Sequence, residues 1–106
     1  MGLFDFFRGP DIHEGLNQYR DTKGAYLIDV REPQEYSSGH IPGSKNVPLS
    51  KLQKITKVAK SKKAPLFVYC MSGGRSARAT AEFSRMGYDA VTNIGGIGRY
   101  RGRLER

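Results

Sequence analysis

One stretch restricts the fold of this chain more than any other. Leu66-Phe67-Val68-Tyr69 is a short apolar run that leads directly into Cys70, the only cysteine. Met71-Ser72-Gly73-Gly74-Arg75 follow, and an alanine-bearing segment then runs from Ser76 to Gly87. An apolar run of that length suits a buried parallel strand. The segment from Ser76, with its glycine stop, suits a helix. Cys70 therefore stands at the carboxyl end of a strand, before a tight loop into a helix amino terminus. Open α/β sheets bind ligands at that edge. N–H groups at a helix start lack intrahelical acceptors and receive anions. The same field favours a thiolate, drawing a cysteine below its free pKa of about 8.5. The pattern describes a reactive cysteine in an anion-accepting cradle. The competing reading is a buried, inert cysteine, which leaves the two glycines and the arginine without a purpose.

The rest of the chain supplies alternating strands and helices. Residues 1–10 form an apolar arm, with Leu3, Phe4, Phe6 and Phe7 before Gly9-Pro10, read as a helical turn covering the core, with an edge strand, a surface contact or a short interfacial membrane contact as the alternatives. Asp11 is a helix cap with Glu14 three residues on. Ile12, Leu16 and Tyr19 fall near one face, and His13 beside them reads as a surface residue. Residues 25–30 read as a strand. Glu32-Pro33-Gln34-Glu35-Tyr36 reads as a helical turn with its proline early. Ser50 and Gln53 form a capping-box pattern ahead of Leu52, Ile55 and Val58 at helical spacing, with a lysine stripe on the solvent side. Residues 88–94 read as the last strand. This alternation predicts an α/β fold with a central parallel sheet and helices on both faces.

Composition excludes several classes. At 106 residues the chain is expected to be one domain, 1–106. No run approaches the ~20 apolar residues of a membrane span. The start has no basic leader, and Asp5 interrupts its short apolar part, so it is not read as a secretory signal. A cytoplasmic location is the default reading. One cysteine excludes an internal disulfide. The net charge is +8, with the densest basic run in the tail 99–106, at Arg99, Arg101, Arg103 and Arg106. No zinc spacing or helix-turn-helix pattern accompanies these residues, so the charge reads as solubility and attraction of small anions, not nucleic-acid binding.

Three segments carry a specific resemblance. Cys70-Met71-Ser72-Gly73-Gly74-Arg75-Ser76 resembles the active-site loop of the rhodanese-like domain, the sulfurtransferase fold. Asp29-Val30-Arg31-Glu32, Glu35-Tyr36, Gly39-His40-Ile41-Pro42-Gly43-Ser44 and Asn46-Val47-Pro48 are similar to that family's amino-terminal signature. Asn93-Ile94-Gly95-Gly96 resembles its segment after the last strand, and Tyr100 falls where the family often has tryptophan. The three occur in the family's order.

The resemblance implies sulfur transfer. The Cys70 thiolate would take the outer sulfur of a small anionic donor such as thiosulfate and hold it as a persulfide. It would then pass that sulfur to cyanide, a thiol or a sulfur-relay protein. Backbone N–H groups of Met71, Ser72, Gly73, Gly74 and Arg75 would stabilise the anionic sulfur, and the Ser72 and Ser76 hydroxyls would add hydrogen bonds. No metal or organic cofactor is implied. Asp29 and Arg31 read as a carboxylate and guanidinium bracing adjacent loops. His40 reads as a structural histidine satisfying loop backbone groups. Arg75 is expected to face an anion, either the thiolate or a donor, with Asp29 as the structural alternative. Four residues separate Cys70 from Arg75. Cysteine phosphatases on similar scaffolds have five, so the spacing favours sulfur over phosphate. An arsenate reductase would need further cysteines. A non-catalytic docking module is the remaining alternative.

Overall fold

The structure, a computed structural model, describes residues 9–106. Most of the apolar arm expected over 1–10 therefore lies outside the described residues. Four parallel strands form one sheet in the order β2-β1-β3-β4. They are β1 (Tyr26–Asp29), β2 (Ser44–Asn46), β3 (Leu66–Cys70) and β4 (Val91–Gly96). The helices are α1 (Ile12–Asp21), α2 (Pro33–Ser38), α3 (Ile55–Val58) and α4 (Gly74–Arg85). Short 3-10 turns run over Leu49–Lys54 and Ile97–Arg99.

Side-chain alternation along β3 divides the core into two. Leu66, Val68 and Cys70 point to one face, with Ile28, Val30, Ile55, Ala79 and Phe83. Phe67 and Tyr69 point to the other, with Ile12, Leu16, Leu27, Ile41 and Ile94. All five β3 residues are buried, as a strand covered on both faces requires. The expected parallel sheet with helices on both faces is what the chain forms.

Local chemistry sets the elements. The Asp11 carboxylate accepts the His13 N–H at 2.9 Å and starts α1. Pro33 begins α2, where Glu32 and Glu35 make a reciprocal capping box. The box expected at Ser50 and Gln53 does not form. The Ser50 hydroxyl instead donates to Glu32 Oε1 at 2.9 Å, and the segment runs as a 3-10 turn before the single α-helical turn of α3. Strand β2 was not anticipated, because Ser-Lys-Asn has no strand signature and owes its state to pairing with β1. The last strand starts at Val91, later than expected. Tyr88 instead packs edge-on against Phe83 and donates its hydroxyl to Ala59 O.

The basic tail folds back on the domain. His40 and Glu105 exchange two backbone hydrogen bonds of 2.8 Å each. The Arg101 N–H donates to His13 Nε2 at 3.1 Å, and the His13 ring stacks on Tyr100.

Candidate active site

Cys70 ends β3 with only 1% of its surface exposed. The chain turns at Gly73, whose φ of 107° lies in the left-handed region that favours glycine, and enters α4. This turn aims the helix start back at the sulfur. The Gly73 N–H donates to Cys70 Sγ at 3.0 Å, and the Ser76 N–H donates at 3.3 Å. The Ser76 hydroxyl lies 3.4 Å from Sγ. Burial alone would push the thiol up. The hydrogen bond shared with the Ser76 side chain and those with the backbone of Ser76, Gly73 and Ser72 outweigh it and bring the thiol below its ordinary range.

Strand β4 presses on this loop from behind. The Gly98 N–H donates to Met71 O at 3.0 Å. A methyl group at Gly96 would collide with Met71 O and with Ser72 Cα, so only glycine permits this approach. A cavity of about 160 Å³ lies on the shoulder of the loop, where Met71 and Ser72 face Gly96 and Arg99. A larger cavity of about 450 Å³ lies between the start of α1 and the tail. It is lined by none of the loop residues 70–76, whereas Met71 and Ser72 line the smaller one.

A cysteine cradled at a strand end in this way is the arrangement that the sequence resemblance anticipates, and the profile of the rhodanese-like domain matches residues 12–102. The chain belongs to the rhodanese-like domain family. Among its relatives is the thiosulfate sulfurtransferase PspE of Escherichia coli K12, 38% identical over 73 residues, or 68% of this chain and 70% of that protein. The thiosulfate sulfurtransferase GlpE of Pseudomonas aeruginosa PAO1 is 34% identical over 83 residues, covering 78% of this chain and 74% of that protein. An uncharacterized Bacillus subtilis protein, YqhL, is 38% identical over 82 residues, and the match spans 64% of its length. A solved Escherichia coli rhodanese with anions superposes with a TM-score of 0.72 at 32% identity, covering 77% of this chain and 98% of that one.

In this rhodanese-like domain, Asp29 and Arg31 pair at the end of β1. Both are buried. Arg31 Nη2 donates to Asp29 Oδ2 at 2.8 Å and to Gly39 O at 2.7 Å. The Arg31 guanidinium rises above its ordinary value: burial works against the charge, and the Asp29 contacts outweigh it. Asn46 Nδ2 donates to Asp29 O and Arg31 O, which locks the same corner. His40 stacks on Tyr36 with ring centroids 3.7 Å apart, and its Nδ1 meets Tyr36 O at 2.8 Å. Its ring nitrogen serves the backbone of α2 and makes no hydrogen bond to the Cys70 loop.

Arg75 directs its side-chain hydrogen bonds to Glu35, and neither to Cys70 nor to Asp29. Its guanidinium grips Glu35 of α2 at two points, 2.6 and 3.0 Å. Glu35 and Arg75 are 40 residues apart, so no local pattern could pair them. Met71 and Ser72 are exposed. Asn93 carried no assigned role in the sequence, yet its Oδ1 lies 2.7 Å from the Ser76 hydroxyl. Only its place in the Asn93-Ile94-Gly95-Gly96 segment pointed to it.

Proposed function

We infer that this domain is a sulfurtransferase that carries sulfane sulfur on Cys70. One observation carries the reading: the sulfur of the only cysteine accepts N–H groups from Gly73 and Ser76 at the start of α4, which favours the thiolate form that attacks. The names of the relatives PspE and GlpE support the same class of donor.

With thiosulfate, Cys70 Sγ attacks the outer sulfur. A new S–S bond forms, the donor's S–S bond breaks, and sulfite leaves with the electron pair. The negative charge then rests on the outer sulfur of the persulfide. N–H groups of Gly74 and Arg75 belong to the first turn of α4, where no intrahelical acceptor exists, and they serve that charge with the rest of the loop. Cyanide or a thiolate next attacks the outer sulfur, bonds to it and returns the Cys70 thiolate. Sulfur is transferred without any external oxidant.

The experiment is intact-mass measurement after incubation with thiosulfate. The mass rises by one sulfur atom and returns on adding cyanide, and Cys70→Ser shows neither change while keeping its fold. An unchanged mass with thiosulfate, persulfidated thiols and other sulfane donors overturns the reading in favour of a docking module.

A further inference from the structure

Ser76 has one hydroxyl proton and more acceptors than it can serve. Its side chain is completely buried, so water does not relieve the competition. Asn93 Oδ1 lies 2.7 Å from Ser76 Oγ, Gly73 O 3.0 Å and Cys70 Sγ 3.4 Å. The Asn93 amide is itself oriented, because Oδ1 accepts the Gly95 N–H at 3.0 Å while Nδ2 is directed at Gly73 O at 3.4 Å. Oδ1, Gly73 O and Gly95 O (3.5 Å) can only accept, and the shortest of these contacts, 2.7 Å to Oδ1, marks the preferred donation from Ser76. The Ser76 lone pairs then face Cys70, and the thiol S–H donates to Ser76 Oγ.

This orientation of the hydroxyl fits a neutral Cys70 and not a charged one, although the N–H groups of Gly73 and Ser76 serve the sulfur in either state. Ionisation leaves hydroxyl lone pairs against the thiolate, unless Ser76 turns its proton to the sulfur and gives up Asn93. Resting on the sulfur-carrier reading above, we propose that Asn93 is a positioning residue that competes with Cys70 for the Ser76 proton and so sets the acidity and availability of the thiolate. The Ser76 hydroxyl takes one of two orientations. It points to Sγ when that atom is charged, and to Asn93 when Sγ is a thiol or the inner, neutral sulfur of the persulfide. Each turnover returns the proton to Asn93 as the outer sulfur is loaded, and hands it to Sγ as the sulfur departs. No covalent bond to Ser76 or Asn93 forms or breaks. A β-bulge brings Asn93 into position: the register passes from Val68 opposite Asn93 to Tyr69 opposite Gly95. Ile94 is the extra residue, and the bulge sets the Gly95 N–H against the Asn93 side chain.

The test titrates the thiolate absorbance of Cys70, the sole cysteine, without any sulfur donor, so it is independent of whether the protein transfers sulfur. Asn93→Ala removes the nearest competing acceptor and leaves only the neutral carbonyls, Gly73 O at 3.0 Å foremost, against a charged Sγ, so Ser76 donates to the thiolate more readily and the titration midpoint moves to lower pH. The thiolate fraction below the midpoint rises about two- to tenfold, the range expected for one competing neutral hydrogen bond. In a Ser76→Ala background, Asn93→Ala leaves the midpoint where it is, since there is no proton to compete for. A merely structural Asn93 gives the opposite sign, because a loosened loop loses its N–H donors and the midpoint rises. That result, or an Asn93 effect that survives in Ser76→Ala, overturns the proposal. Should Asn93→Ala not fold, Asn93→Asp carries the test. Its carboxylate holds the Ser76 proton harder and raises the midpoint more with Ser76 present than with alanine there. An equal rise in both backgrounds is charge repulsion alone and also overturns it. A sulfur-loading failure with the expected midpoints would remove the sulfur-carrier reading and leave the proton competition standing.

Discussion

Arg75 of α4 and Glu35 of α2 form a two-point ion pair, Nη1 to Oε1 at 2.6 Å and Nη2 to Oε2 at 3.0 Å. Glu35 Oε1 also accepts the Glu32 N–H at 3.0 Å and so closes the cap of α2. One carboxylate thereby joins the start of α2 to the last turn of the cysteine loop. Arg75 carries a cation at a helix start, where the helix dipole disfavours it, and Glu35 compensates that placement. The guanidinium rises above its ordinary value chiefly through this hydrogen-bonded partner.

Because the fork is planar and bidentate, Arg75→Lys keeps the charge but loses one of its two bonds. The expected result is partial loss of stability in Arg75→Lys and a larger loss in Arg75→Ala, read by urea unfolding. Glu35→Gln costs a similar amount, and the double variant costs little more than either single one. Full additivity would show that the two side chains do not meet in solution.

The Asp29–Arg31 pair differs because it is buried. Replacing Arg31 by Ala leaves the Asp29 carboxylate without its guanidinium and Gly39 O without a donor. Breaking a buried pair from one side costs about 3–5 kcal/mol. The expected outcome is a large drop in melting temperature with little change in the Cys70 titration midpoint, since Arg31 makes no hydrogen bond to the sulfur. A variant of normal stability with a shifted midpoint would reverse that assignment.

These pairs show what the sequence could and could not reveal. The β3–loop–α4 unit was legible because its residues are contiguous: an apolar run, a cysteine, two glycines and a helix-forming segment. Asp29 and Arg31 were legible because they sit two residues apart at a strand end. Glu35 with Arg75, and Asn93 with Ser76, were not, because each pair forms only when separate segments meet at the sheet edge. Strand β2 was hidden for a related reason: three polar residues become a strand only because β1 offers them a ladder. The capping box at Ser50 failed because a distant carboxylate, Glu32, claimed the hydroxyl.

Gly96 is the residue whose backbone lets β4 approach the loop. Gly96→Ala places a methyl group against Met71 O and Ser72 Cα, both held by backbone that has little room to yield. The expected outcome is a less stable protein whose Cys70 loop is displaced, with faster amide exchange at Gly73 and Ser76 and a higher thiol midpoint. Gly98→Ala is the milder control, since its methyl would lie 3.1 Å from Met71 O. Equal effects at both positions would show that the close contact at Gly96 does not set the loop.

Acid sensitivity follows from Glu35. Its hydrogen bond to Arg75 is the largest influence and lowers the carboxyl from 4.5 to about 2, against the opposing effect of partial burial. The folded protein therefore releases this proton more readily than the unfolded chain. The unfolded state binds more protons between the two values, so stability rises with pH through that window. The contribution is fully present above about pH 4.5 and is lost as pH falls towards 2. Both side chains are about one-third exposed, at 34% and 32%, so solvent screening reduces the contribution to ~1 kcal/mol or less. Other carboxylates titrate over the same range, so the comparison is between the parent protein and Glu35→Gln by urea unfolding from pH 6 down to about 2. The parent should lose the extra increment on acidification, and the two stabilities should converge at the acid end. Parallel curves over the whole range would mean that the Arg75–Glu35 bond does not hold the carboxylate in its charged form.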